Sequence, residues 1–250
     1  MNDITSMNEP APPVTVALRI PGRWLHPGEL IERLPDGCRV TPEALILPDG
    51  TRVDLGFMQP DDQFPGIFRS SCRQPPTEEE LATADGYLVN VVLSGKGGSM
   101  AAARTMMEAG AAMVRAGGAG VFIDNCGLAH GGELWIEMTE DGGPDALSFA
   151  FVAIVRGKAD VWTVGMHVLG LRDVVMKRAD VEEGFDIVEV IRYLARGDKP
   201  VGDGHVIADL SGPQFRCAVQ DGDAKMAGTP MYNPFGRFLL VSVEDIAGQN

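Results

Sequence analysis

The sequence predicts an α+β protein built on a mixed sheet, and three observations carry that expectation. Short runs of period-two apolar alternation recur along the chain, as at residues 14–20 and 87–93. One long segment, 100–116, has helical spacing instead, with Met100, Ala103, Met107, Gly110, Ala111 and Val114 on one face. A glycine-rich turn at 95–99 precedes that helix and an apolar run at 120–124 follows it, which is the order of a βαβ unit.

Taken in order, residues 1–13 read as a flexible tail, Pro-rich at its end and without the basic and apolar regions of a secretory signal. Residues 14–20 form a strand, and 29–34 a short helix stopped by Pro35. Runs at 44–47 and 52–57 flank Pro48-Asp49-Gly50-Thr51, a hairpin signal, because Asp-Gly accommodates the positive φ of a tight turn. Residues 59–76, rich in Pro, Gln and Ser, read as an irregular connection. Thr77-Glu78-Glu79-Glu80 is a capping box opening a short helix that ends near Gly86.

The strand 87–93 comes next, then the turn and the long helix. Ser99 suits the helix start, Arg115 the negative end of its dipole, and Gly117-Gly118 its stop. Strands 87–93 and 120–124 are expected to be parallel within one sheet. Residues 126–144 read as a long connection containing Trp135. Strands are expected at 147–156 and 160–168, and an amphipathic helix at 186–196. A hairpin is expected from 205–210 and 214–219 around Ser211-Gly212-Pro213. Asn233-Pro234-Phe235-Gly236 fits a type I turn before a last strand at 238–243. Both 14–93 and 87–210 can be read as strand, helix, strand, strand, helix, strand. That is the split βαβ, or ferredoxin-like, order, with two such units side by side. The corresponding division is a tail (1–13), an N-terminal α/β portion with its connection (14–76) and a main α+β domain (77–250).

Composition narrows the function classes. In 250 residues, 35 Asp and Glu outweigh 21 Lys and Arg, for a net charge of −14. That field repels phosphate backbones, so nucleic acid is not the expected partner, and it suits a protein with a basic surface. The longest apolar stretches are strand-sized, so no membrane partner is expected. Cys38, Cys72, Cys126 and Cys217 form no Cys-x-x-Cys pair, which points to reduced thiols in a cytoplasmic protein rather than to a metal or a disulfide framework.

Three constellations carry chemistry. In the first, Ser94-Gly95-Lys96-Gly97-Gly98-Ser99 places glycines and a cation at a helix start, where a small anion could sit on Lys96, Gly97, Gly98 and Ser99. It lacks the Gly-Lys-Ser/Thr of a phosphate loop, and a tight strand-to-helix turn explains it equally. In the second, Asp124, His130 and Glu133 lie close in sequence, with His130 and Glu133 three residues apart. Such groups could serve acid–base chemistry, or hold a metal if His167 or His205 joined them. Otherwise they cap turns and bond backbone, and Cys126 as a nucleophile would have only His130 nearby. In the third, Trp162, Met166, Met231, Tyr232, Phe235 and Phe238 could line a groove or fill a core.

The Gly-Gly-Ser helix start at Gly97, Gly98 and Ser99, the Ala/Met-rich helix, residues 116–125 and the loop Gly127-Leu128-Ala129-His130-Gly131 together resemble a family of uncharacterised prokaryotic proteins, a domain of unknown function. Trp162-Thr163-Val164-Gly165-Met166-His167 with Leu169-Gly170 extends the resemblance over residues 75–171. It implies a bacterial intracellular protein and carries no catalytic residue across. The functional expectation is therefore an acidic, non-enzymatic binding module without a cofactor, comparable to an immunity-type protein that neutralises a basic toxin. The alternatives are a hydrolase or metal-dependent enzyme using Asp124, His130 and Glu133, and a binder of a small anion at residues 95–99.

Overall fold

The computed structural model describes residues 13–182, 187–208 and 214–243. These carry two sheets. The first contains β1 (Thr15–Gly22), β2 (Arg39–Thr41), β3 (Ala44–Ile46), β4 (Arg52–Met58), β5 (Val89–Lys96), β6 (Gly120–Ile123) and β7 (Leu128–Gly131). Its order is β2-β3-β4-β5-β1-β6-β7, with every neighbouring pair antiparallel. The second contains β8 (Ala153–Arg156), β9 (Asp160–Val164), β10 (Asp173–Lys177), β11 (Val206–Ala208), β12 (Gln214–Gln220) and β13 (Arg237–Ser242). Its order is β11-β12-β13-β10-β9-β8, and only β10 and β13 run parallel. The helices are α1 (Pro27–Glu32), α2 (Phe64–Ser71), α3 (Glu78–Asp85), α4 (Met100–Arg115), α5 (Gly132–Asp141), α6 (Pro144–Phe151), α7 (Arg178–Glu182) and α8 (Ile187–Arg196). The protein is α+β.

Alternation along β1 sets up the first sheet. Val16, Leu18 and Ile20 are fully buried on one face, opposite Gly95, Leu93 and Val91 of β5. The long helix α4 lies on that face. Ser99 caps it by accepting a hydrogen bond from Ala102 N at 3.1 Å, and Arg115 in its last turn pairs with Glu140 of α5 at 3.3 Å. Both β5 and β6 run antiparallel to β1, which lies between them. They therefore share a direction and a sheet, joined by α4, with one strand inserted. The other face carries a smaller cluster of Phe64, Phe68, Ala84, Tyr87, Ala119 and Ala129 beneath α2 and α3. The capping box of α3 is formed, Thr77 Oγ1 accepting from Glu80 N and Glu80 Oε2 from Thr77 N.

The helix α4 is buried nearly all round, because the sheet covers one side and α5, α6 and the 3-10 turn at Met166–Leu169 cover the other. Gly110 is the contact that permits this. Trp135 of α5 is fully buried and donates its indole N–H to Met107 O at 3.0 Å, and a Cβ on Gly110 would stand 2.8 Å from that nitrogen. One continuous core then runs from β1 through α4 and α6 to Val161, Val174, Met176, Phe215, Phe238 and Leu240 of the second sheet.

Several expectations are corrected. Residues 147–151 are helical, not extended: α6 starts at Pro144, whose fixed φ suits the first helical position, with Asp145 at the positive end of the dipole. From Phe149 to Val155 the run is apolar throughout and has no period to separate strand from helix, and only residues 153–156 pair as a strand. The connection 126–144 holds β7 and α5, and the connection 59–76 holds α2, with Phe64 and Phe68 buried. The strand at 160 stops at Val164, where Gly165 at φ +107° turns the chain into the 3-10 helix. Strands from 87–210 divide between two sheets, so that span does not form one split βαβ unit. The reading of 14–93 as such a unit fails too, since β3, β4, β5 and β1 stand in that order. Interleaving occurs instead among β4-β5-β1-β6, where β1 and β4 flank β5 while β5 and β6 flank β1. The segment 59–76 connects β4 to β5, two strands paired in one sheet. Residues 1–12, the Ser211-Gly212-Pro213 turn, Leu210 and the start of the helix at Asp186 lie outside the described residues.

Candidate functional site

Asp124, His130 and Glu133 each have a different set of partners. Asp124 follows β6 and pairs with Arg19 of β1 at 2.8 Å. His130 of β7 is fully buried and packs against the rings of Trp135 and Phe149. Its Nε2 donates to Ala150 O at 3.0 Å, near the end of α6. Burial holds the imidazole neutral, lowering its pKa to about 4 against the opposing pull of that hydrogen bond. Glu133 is exposed at the start of α5, and its backbone N–H donates to Glu80 Oε1 at 2.8 Å. His205 is exposed and its Nδ1 accepts from Gly202 N. Among the described residues, no three His, Cys, Asp or Glu side chains gather as metal ligands.

The glycine-rich turn has its amides engaged. Gly97 N–H donates to Val14 O at 2.9 Å and Gly98 N–H to Val168 O at 3.0 Å, while Ser99 Oγ caps α4. Gly98 adopts φ +81°, a conformation that a side chain with a Cβ resists. Lys96 ends β5 and is exposed.

The chemistry gathers elsewhere, on the outer face of the second sheet. Alternation in β9, β10 and β13 turns Val161, Val174, Met176, Phe238 and Leu240 inward and leaves Trp162, Val175 and Leu239 half-buried on the other face. The long connection from β12 to β13 folds over that face and encloses a cleft of about 350 Å³. Trp162, Val175, Met226 and Met231 provide apolar walls, and Asp173 and Arg237 stand on its floor.

Asp173 opens β10. Its Oδ1 accepts from Thr163 Oγ1 at 3.1 Å and from Met166 N at 3.3 Å; the Thr163 hydroxyl in turn accepts from Val174 N at 2.8 Å. Burial raises the carboxyl to about 6, against the lowering effect of Asn233, Thr163, the Met166 amide and the Arg237 charge. Arg237 is its register neighbour on the parallel strand β13, yet the two side chains form no ion pair. The guanidinium instead donates through Nε to Gln220 Oε1 at 3.0 Å.

The covering loop is pinned at one end. Asn233 donates to Leu171 O at 3.0 Å and accepts from Phe235 N, and Gly236 N–H closes the expected turn onto Asn233 O at 3.2 Å. His167 Nε2 donates to Pro230 O at 3.0 Å, and the Asn125 amide reaches both Pro230 O and Thr15 O. His167 is fully buried and is held neutral by burial, at about 4. The aromatic and Met residues singled out in the sequence therefore divide. Trp162 and Met231 line the cleft, Met166 and Phe238 are core, and Tyr232 lines a neighbouring groove with Asn125 and His167.

Asp173 and Arg237 were not singled out from sequence. The signal available was an Asp opening an alternating strand beside the Trp162 strand, but pairing it with Arg237 required the β10–β13 register. No protein-family model, curated protein or solved structure matches this chain. The chain is an α+β protein with a polar-floored cleft on one sheet. No helix among the described residues is long and apolar enough to cross a membrane.

Proposed function

We infer that this chain works by binding, and that the cleft over Asp173 is where it binds. The observation that carries the reading is the Asp173 carboxylate itself. It is half-buried on the floor of an apolar-walled cleft, held by hydrogen bonds from Thr163 and Met166 to Oδ1 and without an ion partner within 4 Å among the described residues. Desolvating a carboxylate without an ion partner opposes folding, so its place on a cleft floor supports a role in recognition. Asp160, Asp173 and Asp223 outnumber Lys225 and Arg237 at the cleft, and with a net charge of −14 they favour ligands or partner surfaces that bring positive charge.

A second reading has one specific support. A carboxyl at about 6 inside a cleft exchanges protons near neutral pH, which suits general acid–base work. In that reading the enzyme alternative rests on Asp173 rather than on Asp124, His130 and Glu133.

The test is a fragment screen observed by NMR on the labelled protein. Binding at the cleft moves the Trp162 indole resonance and the Asp173 and Arg237 amides, and Trp162→Ala removes the response. Hits that map only to other surfaces would overturn the reading. Release of altered fragments from the wild type but not from Asp173→Asn would favour the enzyme.

A further inference from the structure

The cleft carries opposite charges that are adjacent but not joined to each other. Asp173 and Arg237 are register neighbours on parallel strands, whose backbones run about 4.8 Å apart. Opposite charges on neighbouring strands attract one another. Here Thr163 Oγ1 and Met166 N hold one carboxylate oxygen, and Gln220 draws the guanidinium the other way. The result is a fixed acceptor and a fixed donor with a gap between them, beside the apolar walls of Trp162, Met226 and Met231.

We propose that this gap is filled by a small zwitterion, a free α-amino acid with an apolar side chain. This rests on the cleft being the binding site and adds the class of ligand. The ammonium group donates to Asp173 and the carboxylate accepts from Arg237, each a charge-assisted hydrogen bond. The α-carbon holds the two groups one atom apart, so one small ligand presents both to neighbouring strands. The side chain lies against Trp162, Met226 and Met231; Met side chains adapt to apolar ligands of varied shape. The cavity, about 350 Å³, stands at the small end of the roughly 300–1,000 Å³ of ligand pockets, so a free amino acid fits within it. The lining carries both signs, Asp173 with Asp160 and Asp223 against Arg237 with Lys225, so a ligand with one charge of each sign is matched on both sides where a simple ion is matched on one.

The experiment titrates the intact protein with L-methionine, N-acetyl-L-methionine and L-methioninamide, read by calorimetry and by tryptophan fluorescence. Trp24 and Trp135 are buried, so a fluorescence change abolished by Trp162→Phe reports the cleft. L-methionine is expected to bind one per chain, and each blocked derivative at least about tenfold more weakly, as the loss of one charge-assisted contact implies. Asp173→Asn should weaken L-methionine by a similar factor while leaving the weak binding of N-acetyl-L-methionine unchanged. Arg237→Gln should show the mirror pattern with L-methioninamide. Equal binding of all three ligands, or no binding of L-methionine where NMR fragments still occupy the cleft, would overturn the zwitterion while leaving the cleft reading in place. Absence of any ligand from the cleft would overturn both. The blocked ligands test the wild-type protein, so the outcome does not depend on the variants folding.

Discussion

His130 and Asp173 are both polar side chains set among apolar ones, and they fare differently. His130 is sealed between Trp135 and Phe149, neutral, with Nε2 bonded to Ala150 O and Nδ1 left without a partner among the described residues. It ties β7 to the end of α6 in the way a core side chain does. Asp173 is held through Oδ1 by Thr163 and Met166 and opens on a cleft. The first group is placed to stabilise the fold. The second is placed at some cost to it, which is the usual signature of a residue with work outside the fold. Closeness in sequence drew attention to His130, with Asp124 and Glu133 around it. Closeness across a sheet, between residues 173 and 237, is what makes the cleft.

The contrast is sharpest in its pH dependence. His130 and His167 are held near 4 against an ordinary 6.5, so the unfolded chain takes up their protons first as pH falls. Each contributes a loss of up to about 3 kcal/mol, fully spared above pH 6.5 and complete below pH 4. Asp173, raised to about 6 from 3.8, has the opposite sign: the native state keeps the proton longer, and stability falls as pH rises through that window. It offsets about one histidine, leaving a net acid loss of roughly 3–4 kcal/mol. Urea denaturation across that pH range should find it, and Asp173→Asn should steepen it. A flat profile would break the comparison.

Substitution separates the two sites next. His130→Ala leaves a cavity beside Trp135 and an unmet Ala150 carbonyl, and should cost about 3 kcal/mol at pH 7. Asp173→Asn should instead raise stability at pH 7, by up to about 3 kcal/mol, because it removes a half-buried charge while keeping acceptors for Thr163 and Met166. Equilibrium unfolding of both variants at one pH decides the sign. A destabilised Asp173→Asn would mean that the carboxylate serves the fold after all.

The glycine-rich turn belongs with His130. Gly98→Val should cost about 1–2 kcal/mol, from positive φ at a residue with a branched Cβ. Lys96→Ala, at an exposed strand end, should change stability within about 0.5 kcal/mol. Thermal melts of the pair check this. The smallest effect concerns the thiols. Burial pushes Cys72 and Cys126 up to about 12 and Cys217 to about 11, and raises Cys38 less. A thiol reagent should therefore react slowly with the folded protein, and find four free groups after denaturation.

Much of the local structure was legible because local rules govern it. The Thr77 capping box, the Ser99 cap, the Asp49-Gly50 turn and the Asn233 turn each involve groups a few residues apart, and all are formed. The apolar alternation of β1, β5 and β12 likewise marked strands with one buried face. Helix α6 escaped because it leads into an apolar run, residues 149–155, that has no period, and α2 because its Pro and Ser residues read as loop.

By itself the sequence determined the α+β class, the acidic charge, the caps and turns, and which faces of its elements are apolar. These follow from side-chain size, charge and hydrogen bonding within a few residues. Tertiary structure alone decided that β1 lies between β5 and β6, that residues 147–151 wind into a helix, and that Asp173 faces a cleft beside Arg237 while His130 is sealed away. Those outcomes depend on which strands become neighbours and what then covers them. Strand order is set by contacts between residues tens of positions apart, and such pairings leave no periodic trace in the chain.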